Sequence, residues 1–180
     1  MKKQIIIATV ALGAFVFGTN NVNAQNHTAT TAVNIILSDV ISIDAGSVAN
    51  GGAVDFNYIT AADYNSDKTA TVANSLIVTS TKSFNVTVKA DGADFTDGTN
   101  LIPVDVLTIK AATGGTMAGT QNTIVLSTDD QVLIGAAPLG SALTLNLDYT
   151  IPATESSSSK ILGQPAGTYT QTVTYTATAI

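Results

Sequence analysis

From Ala32 onward, apolar and polar residues alternate in segment after segment. That period of two is the period of a β-strand, whose successive side chains point to opposite faces. "AVNIILSDVISI" opens with Val33, Ile35 and Leu37 in phase, and Val40 to Ile43 read as a second short piece. Asn50-Gly51-Gly52 signals a turn, and "AVDFNYI" follows with Val54, Phe56 and Tyr58 on one face. Residues 61–71 read as loop, and "VANSLIVTST" and "SFNVTVKA" as a strand pair joined near Lys82. "VDVLTIKA", "NTIVLST" and "QVLIGA" continue the series, with Asp129-Asp130 as a turn. In "ALTLNLDYTI", Leu143, Leu145, Leu147, Tyr149 and Ile151 share a face. Helical spacing is not sustained anywhere after residue 24. Short strands between Gly, Asn, Asp and Ser turns predict an all-β protein, a two-sheet immunoglobulin-like sandwich of roughly seven to nine strands. An up-and-down barrel is the alternative.

The chain ends in "GTYTQTVTYTATAI", with threonine at every second position from Thr168 to Thr178 and no charge in the run. Extended, Thr168–Ala179 would span about 40 Å, twice a usual strand. Its odd face carries Tyr169, Gln171, Val173, Tyr175, Ala177 and Ala179, and this is the face expected to be buried. Val173 alone would contribute about 1.5–3 kcal/mol if covered. Gln171 interrupts that face and is expected near a rim. Edge strands normally protect themselves with lysine, proline or a bulge. No charge follows Lys160 and no proline follows Pro165. The strand is therefore flanked on both sides in its own sheet, or its edge pairs with another chain.

The first residues change the compartment. Lys2 and Lys3 precede the apolar stretch Ile5–Phe17, and Val22-Asn23-Ala24 has the small residues that a signal peptidase accepts. Residues 1–24 are expected to be an export signal, with 25–180 a single domain preceded by an arm at 25–31. The apolar stretch is shorter than the ~20 residues that span a bilayer, so no transmembrane segment is expected once the signal is removed. There is no cysteine to acylate or to bridge, so the core alone must stabilise the domain. Loss of Lys2 and Lys3 would leave five lysines, no arginine and thirteen acids, a net charge of −8. Nucleic acid and anionic membrane surfaces are poor partners for such a chain. Only 11% of residues are charged, which removes one defence against association.

Candidate chemistry is sparse. The single histidine after the signal, His27, lies close to the new terminus, and Glu155 is the only glutamate. No P-loop or dinucleotide glycine pattern occurs, and no enzyme activity is expected. In "ADGADFTDGTN", Asp91, Asp94, Asp97 and Asn100 recur every three residues between turn glycines. Calcium takes oxygens from such loops, although the spacing departs from the EF-hand pattern. The other reading is an ordinary acidic loop. A Lys–Asn cross-link would need a buried lysine, and Lys82, Lys89 and Lys110 read as outward or turn positions.

The closing segment "PAGTYTQTVTYTATA" resembles that of bacterial pilin-like surface domains, including chaperone–usher pilins and the spore coat protein U type. Pilins of that kind carry a glycine fourteen residues from the end, the position of Gly167 here. Gly-x-Tyr before a terminal strand is also similar to the ending of WxL-type surface domains. An aromatic next to last, the pilin disulfide and the W-x-L tripeptide are absent. The resemblance implies an immunoglobulin-like fold and self-association by strand donation, with Gly167, Tyr169, Val173 and Tyr175 in the assembly strand. The donor would be the arm "QNHTATTAVNIIL", with Thr31, Val33, Ile35 and Leu37 in phase, unless that arm is the first strand of its own sandwich. A secreted structural or adhesive surface protein, of fimbrial type, is the leading expectation. A monomeric glycan- or cell-wall-binding module is the alternative.

Overall fold

The computed structural model describes residues 28–180. The expected export signal, Gln25 and His27 lie outside the described residues. The chain divides into two units, Met1–Ile36 and Leu37–Ile180. In the first, residues 28–36 have no regular secondary structure and every one of them is exposed.

The second unit is nearly all β. Its strands are β1 (Ile41–Ile43), β2 (Lys68–Ser80), β3 (Phe84–Ala90), β4 (Asp94–Thr96), β5 (Leu101–Pro103), β6 (Thr108–Ala111), β7 (Thr120–Gln121), β8 (Ile124–Val125), β9 (Gln131–Ala137), β10 (Gly140–Ile151) and β11 (Val173–Ala179). One sheet has the order β1-β2-β10-β6-β8 and the other β11-β3-β9-β7, all antiparallel where paired. β4 and β5 form a separate hairpin. Side chains of both large sheets meet in one apolar cluster, the arrangement of a sandwich.

The inward faces of β3 and β10 follow the alternation, and β9 departs from it with two adjacent buried residues at its register shift. Phe84, Val86 and Val88 of β3 are fully buried, as are Leu145 and Leu147 of β10 and Leu133 and Ile134 of β9. Partners do not follow it. β2 and β3 are consecutive but do not pair: Thr81–Ser83 carries the chain from one sheet to the other, and β2 pairs with β1 and β10, β3 with β11 and β9.

Three non-glycine residues among the described ones adopt left-handed backbone: Asn74, Ala136 and Ala142, with φ of 50°, 50° and 52°. Each lies at a register break or beside one. Each donates its N–H to a side chain of an adjacent strand: Asn74 to Asn146 Oδ1 (2.8 Å), Ala136 to Asn85 Oδ1 (2.8 Å) and Ala142 to Thr79 Oγ1 (3.0 Å). A bulge leaves an N–H outside the ladder, and these side chains satisfy it. The bulge at Asn74 lets β2 keep Ala70, Val72, Leu76 and Val78 inward while it bends.

Several predicted segments differ. Strand β2 begins at Lys68, inside the segment read as loop, because Thr69 and Thr71 alternate with Ala70 and Val72 against β10. The acidic stretch contains β4 and the turn that leads into β5. A short helix, α1 (Ala153–Ser156), follows β10. The terminal strand is shorter than its threonine pattern: β11 starts at Val173, and Thr170 makes only an isolated bridge to Thr96. Val33, Ile35 and Leu37 belong to no strand, so the arm is not a first strand of this sandwich in the structure. The "AVDFNYI" segment belongs to no sheet either.

Candidate functional site

The boundary strands of the two sheets differ greatly in length. β7 and β8 have two residues each and β1 has three, but β11 has seven. Short edges offer little to pair with. β11 is the exception, and it carries no lysine, proline or bulge.

Its polarity can be derived from the register. Asp91 donates its N–H to the Thr172 carbonyl at 3.0 Å, and Ile180 donates to the Ser83 carbonyl at 2.8 Å. In an antiparallel ladder, residues alternate between bonding the neighbour and bonding outward. Even-numbered residues of β11 therefore bond β3, in the register Thr174↔Lys89 through Thr178↔Asn85. The N–H and C=O groups of Val173, Tyr175, Ala177 and Ala179 face outward, where no strand pairs with them among the described residues. The side chains of Val173, Tyr175 and Ala177 turn inward and are half-buried against the core.

One side chain fastens this strand to the opposite sheet. The Tyr175 hydroxyl lies 2.7 Å from the Tyr149 hydroxyl, which is 3.3 Å from Ser75 Oγ. Burial, with Tyr149 beside it, pushes the Tyr175 phenol far above the ordinary tyrosine range. Upstream, Gln171 donates to the Asp94 carbonyl at 2.6 Å and accepts from Thr172 N–H, so the odd polar residue of the inward face is used to hold β4. Gly167 precedes the strand by six residues instead of opening it, and the Tyr169 hydroxyl bonds the Pro165 carbonyl at 2.9 Å. Of the four predicted assembly residues, Val173 and Tyr175 lie in β11, and Gly167 and Tyr169 lie in the connection before it.

β1, the edge of the other sheet, lies against β11. Beyond β1 the chain follows β2: Asp44 N–H bonds the Ile77 carbonyl, Val48 the Asn74 carbonyl and Ala49 the Ser75 carbonyl. A turn with Gly51 at φ +83° then launches residues 52–58. A Cβ at Gly52 would collide with the Val48 carbonyl, so this close approach requires glycine. Val54, Phe56 and Tyr58 are half-buried against the core, and Ala53, Asp55 and Asn57 are exposed. The backbone of residues 52–58 makes no hydrogen bond among the described residues. Only side chains hold its far end: Tyr58 Oη meets Ser156 Oγ at 2.8 Å, and the Lys68 ammonium sits 5.6 Å from the centre of the Tyr58 ring.

Asp63 anchors the turn between this run and β2. Its carboxylate accepts from Ile59 N–H (3.0 Å), Thr60 N–H (2.7 Å), Thr60 Oγ1 (2.9 Å) and Lys68 Nζ (2.6 Å). The Lys68 ammonium, then the Thr60 and Ile59 amides, hold this carboxyl well below the usual carboxylate range.

The acidic stretch is used structurally. Asp97 accepts from Thr99 N–H (2.9 Å), Asn100 N–H (2.7 Å) and Asn100 Nδ2 (3.0 Å), closing the β4–β5 turn. The Asn100 side-chain amide, then the two backbone amides, lower its carboxyl. Asp91 accepts from Thr174 Oγ1 at 2.7 Å, and Asp94 contributes its carbonyl to Gln171. No three acidic or histidine side chains gather into a group that could hold a metal, among the described residues. All five lysines among the described residues have acidic partners: Lys68 with Asp63, Lys82 with Asp39, Lys89 with Asp130, Lys110 with Asp148, and Lys160 with Asp105 and Glu155. No helix among the described residues is long and apolar enough to cross a membrane.

Period-two reading identifies the inward face of β11 and the phase of Val54, Phe56 and Tyr58. It does not reveal that β11 is the edge of its sheet or that residues 52–58 stay outside both sheets, because that depends on long-range pairing. No family model, curated protein or solved structure matches the chain. The fold and its edge define a class: an all-β, sandwich-like protein with, among the described residues, one long, unpaired and uncharged strand edge.

Proposed function

We propose that this chain is an exported, non-enzymatic structural or adhesive protein of the cell surface, a fimbrial-type subunit that assembles by strand pairing. The observation that carries the reading is the outer edge of β11: outward backbone groups on alternate residues with no partner among the described residues and no charged side chain to repel one. Such an edge is a template for another strand. The arm supplies a matching donor. Val33, Ile35 and Leu37 alternate at 83%, 83% and 87% exposure, and residues 28–38 carry no charge. The amino-terminal pattern of Lys2, Lys3, the apolar stretch and Val22-Asn23-Ala24 supports export.

The glycan-binding alternative wants exposed aromatic rings, and no aromatic residue is exposed among the described residues. Size-exclusion chromatography with light scattering, together with electron microscopy, tests the proposal on protein purified after export. Ordered oligomers or filaments are expected, and deletion of residues 25–37 is expected to leave a folded monomer. Monomers at all concentrations, with an intact arm, would overturn it.

A further inference from the structure

We infer that Asn50-Gly51 is a site of covalent self-modification, where the chain closes to a succinimide, reopens as isoaspartate and thereby loosens residues 52–58. A succinimide forms when a backbone amide nitrogen attacks the side-chain carbonyl of the residue before it. The nitrogen needs space and the side chain needs freedom. Three pairs with glycine second occur among the described residues: Asn50-Gly51, Asp91-Gly92 and Asp97-Gly98. The two aspartates are held, Asp91 by Thr174 Oγ1 at 2.7 Å and Asp97 by the Thr99 and Asn100 amides. Asn50 is exposed, and its side chain makes no hydrogen bond among the described residues. Its amide carbonyl also accepts a nucleophile that an ionised carboxylate resists. A Cβ at Gly51 would meet nothing within 4 Å, so the closing ring has room.

Water is the only co-reactant. The Gly51 nitrogen gives its proton to hydroxide and bonds Asn50 Cγ; the Cγ–Nδ2 bond breaks, and Nδ2 leaves as ammonia. Water then opens the ring at either carbonyl. One opening leaves aspartate, and the other runs the backbone through Cβ and Cγ, one carbon longer than before. The fold makes that carbon matter. Gly51 donates its N–H to the Ala49 carbonyl at 3.0 Å, a bond that the ring abolishes. Gly52 then passes so close to the Val48 carbonyl that only glycine fits. Residues 52–58 make no backbone hydrogen bond among the described residues, although Val54, Phe56 and Tyr58 pack on the core. The turn holds their near end, and the Tyr58–Ser156 contact holds their far end. A lengthened turn frees the near end.

Storage of the purified protein in mild base tests this, read by peptide mass spectrometry and by chymotrypsin. The peptide bearing Asn50 is expected to gain about 1 Da, as NH is exchanged for O, with isoaspartate as the main product. Raising the pH from about 6 to about 8 should speed the gain at least ~10-fold, because the attacking nitrogen must lose its proton. Asn50→Gln should show no gain. Stored protein should be cut after Phe56 or Tyr58 at least ~10-fold faster than fresh protein, since those side chains must leave the core to enter a protease. Fresh Asn50→Asp carries the new charge without the extra carbon and should be cut no faster than the parent. Retention of the amide at Asn50, or equal loss at the other asparagines, would overturn the site. A mass gain without faster cutting, or equally fast cutting of Asn50→Asp, would overturn the loosening of residues 52–58.

Discussion

Asp63 concentrates four donors on one carboxylate, and its worth is best read through pH. Its carboxyl is depressed in the folded chain, so its stabilisation is complete above the unfolded carboxylate range, near pH 4, and fades as pH falls below it. Asp63→Asn should melt at a lower temperature than the parent at pH 7. The gap should hold steady down to about pH 5 and narrow below pH 4, which melting curves across an acid series would reveal. Tyr175 behaves in the opposite sense. Its phenol is raised by burial, so its contribution is present below the unfolded tyrosine value and is lost as pH climbs past about 10. Ultraviolet titration should find one tyrosine that ionises only as the protein unfolds, and Tyr175→Phe should remove that signal. The substitution should cost only about 0.5–1.5 kcal/mol, because Tyr149 keeps Ser75 as a partner.

At the scale of elements, the bulges explain why the sheets keep their apolar faces inward across breaks in register. Asn85→Ala would leave the Ala136 N–H without its acceptor. Ala136 is exposed and water can replace the side chain, so urea unfolding should show a loss of about 0.5–1.5 kcal/mol. Phe84→Ala, deep in the cluster between the sheets, should cost about 3–5 kcal/mol in the same assay. Alternation makes the inward faces of β3, β10 and β11 legible in the sequence, because burial of one side imprints a period of two on the residues themselves. It cannot reveal partners. Residues 54–58 and 33–37 carry the same imprint and lie outside every sheet, since the pattern records a face and not a neighbour. The threonine pattern overstates the length of β11 for a related reason: Thr168, Thr170 and Thr172 look like Thr174 and Thr176, and what ends the ladder is Gln171 reaching to β4.

For the whole molecule, the exposed arm and the open edge together should set the state of association. Val33→Asp with Ile35→Asp should give a folded monomer with unchanged melting temperature, because both side chains are exposed. Light scattering beside a thermal melt checks both halves of that expectation. Composition points toward association through the scarcity of charge, and the structure locates that scarcity. The acidic loop illustrates the reverse, for its regular spacing of aspartates serves three unrelated structural contacts.

Because each described lysine already faces an acid and β11 has no ionic group, the joint between subunits would contain no counterions to release. Raising sodium chloride from millimolar levels to molar should therefore leave its strength untouched or increase it, the reverse of a contact built on opposite charges. A filament made this way would tolerate brackish and saline surroundings equally.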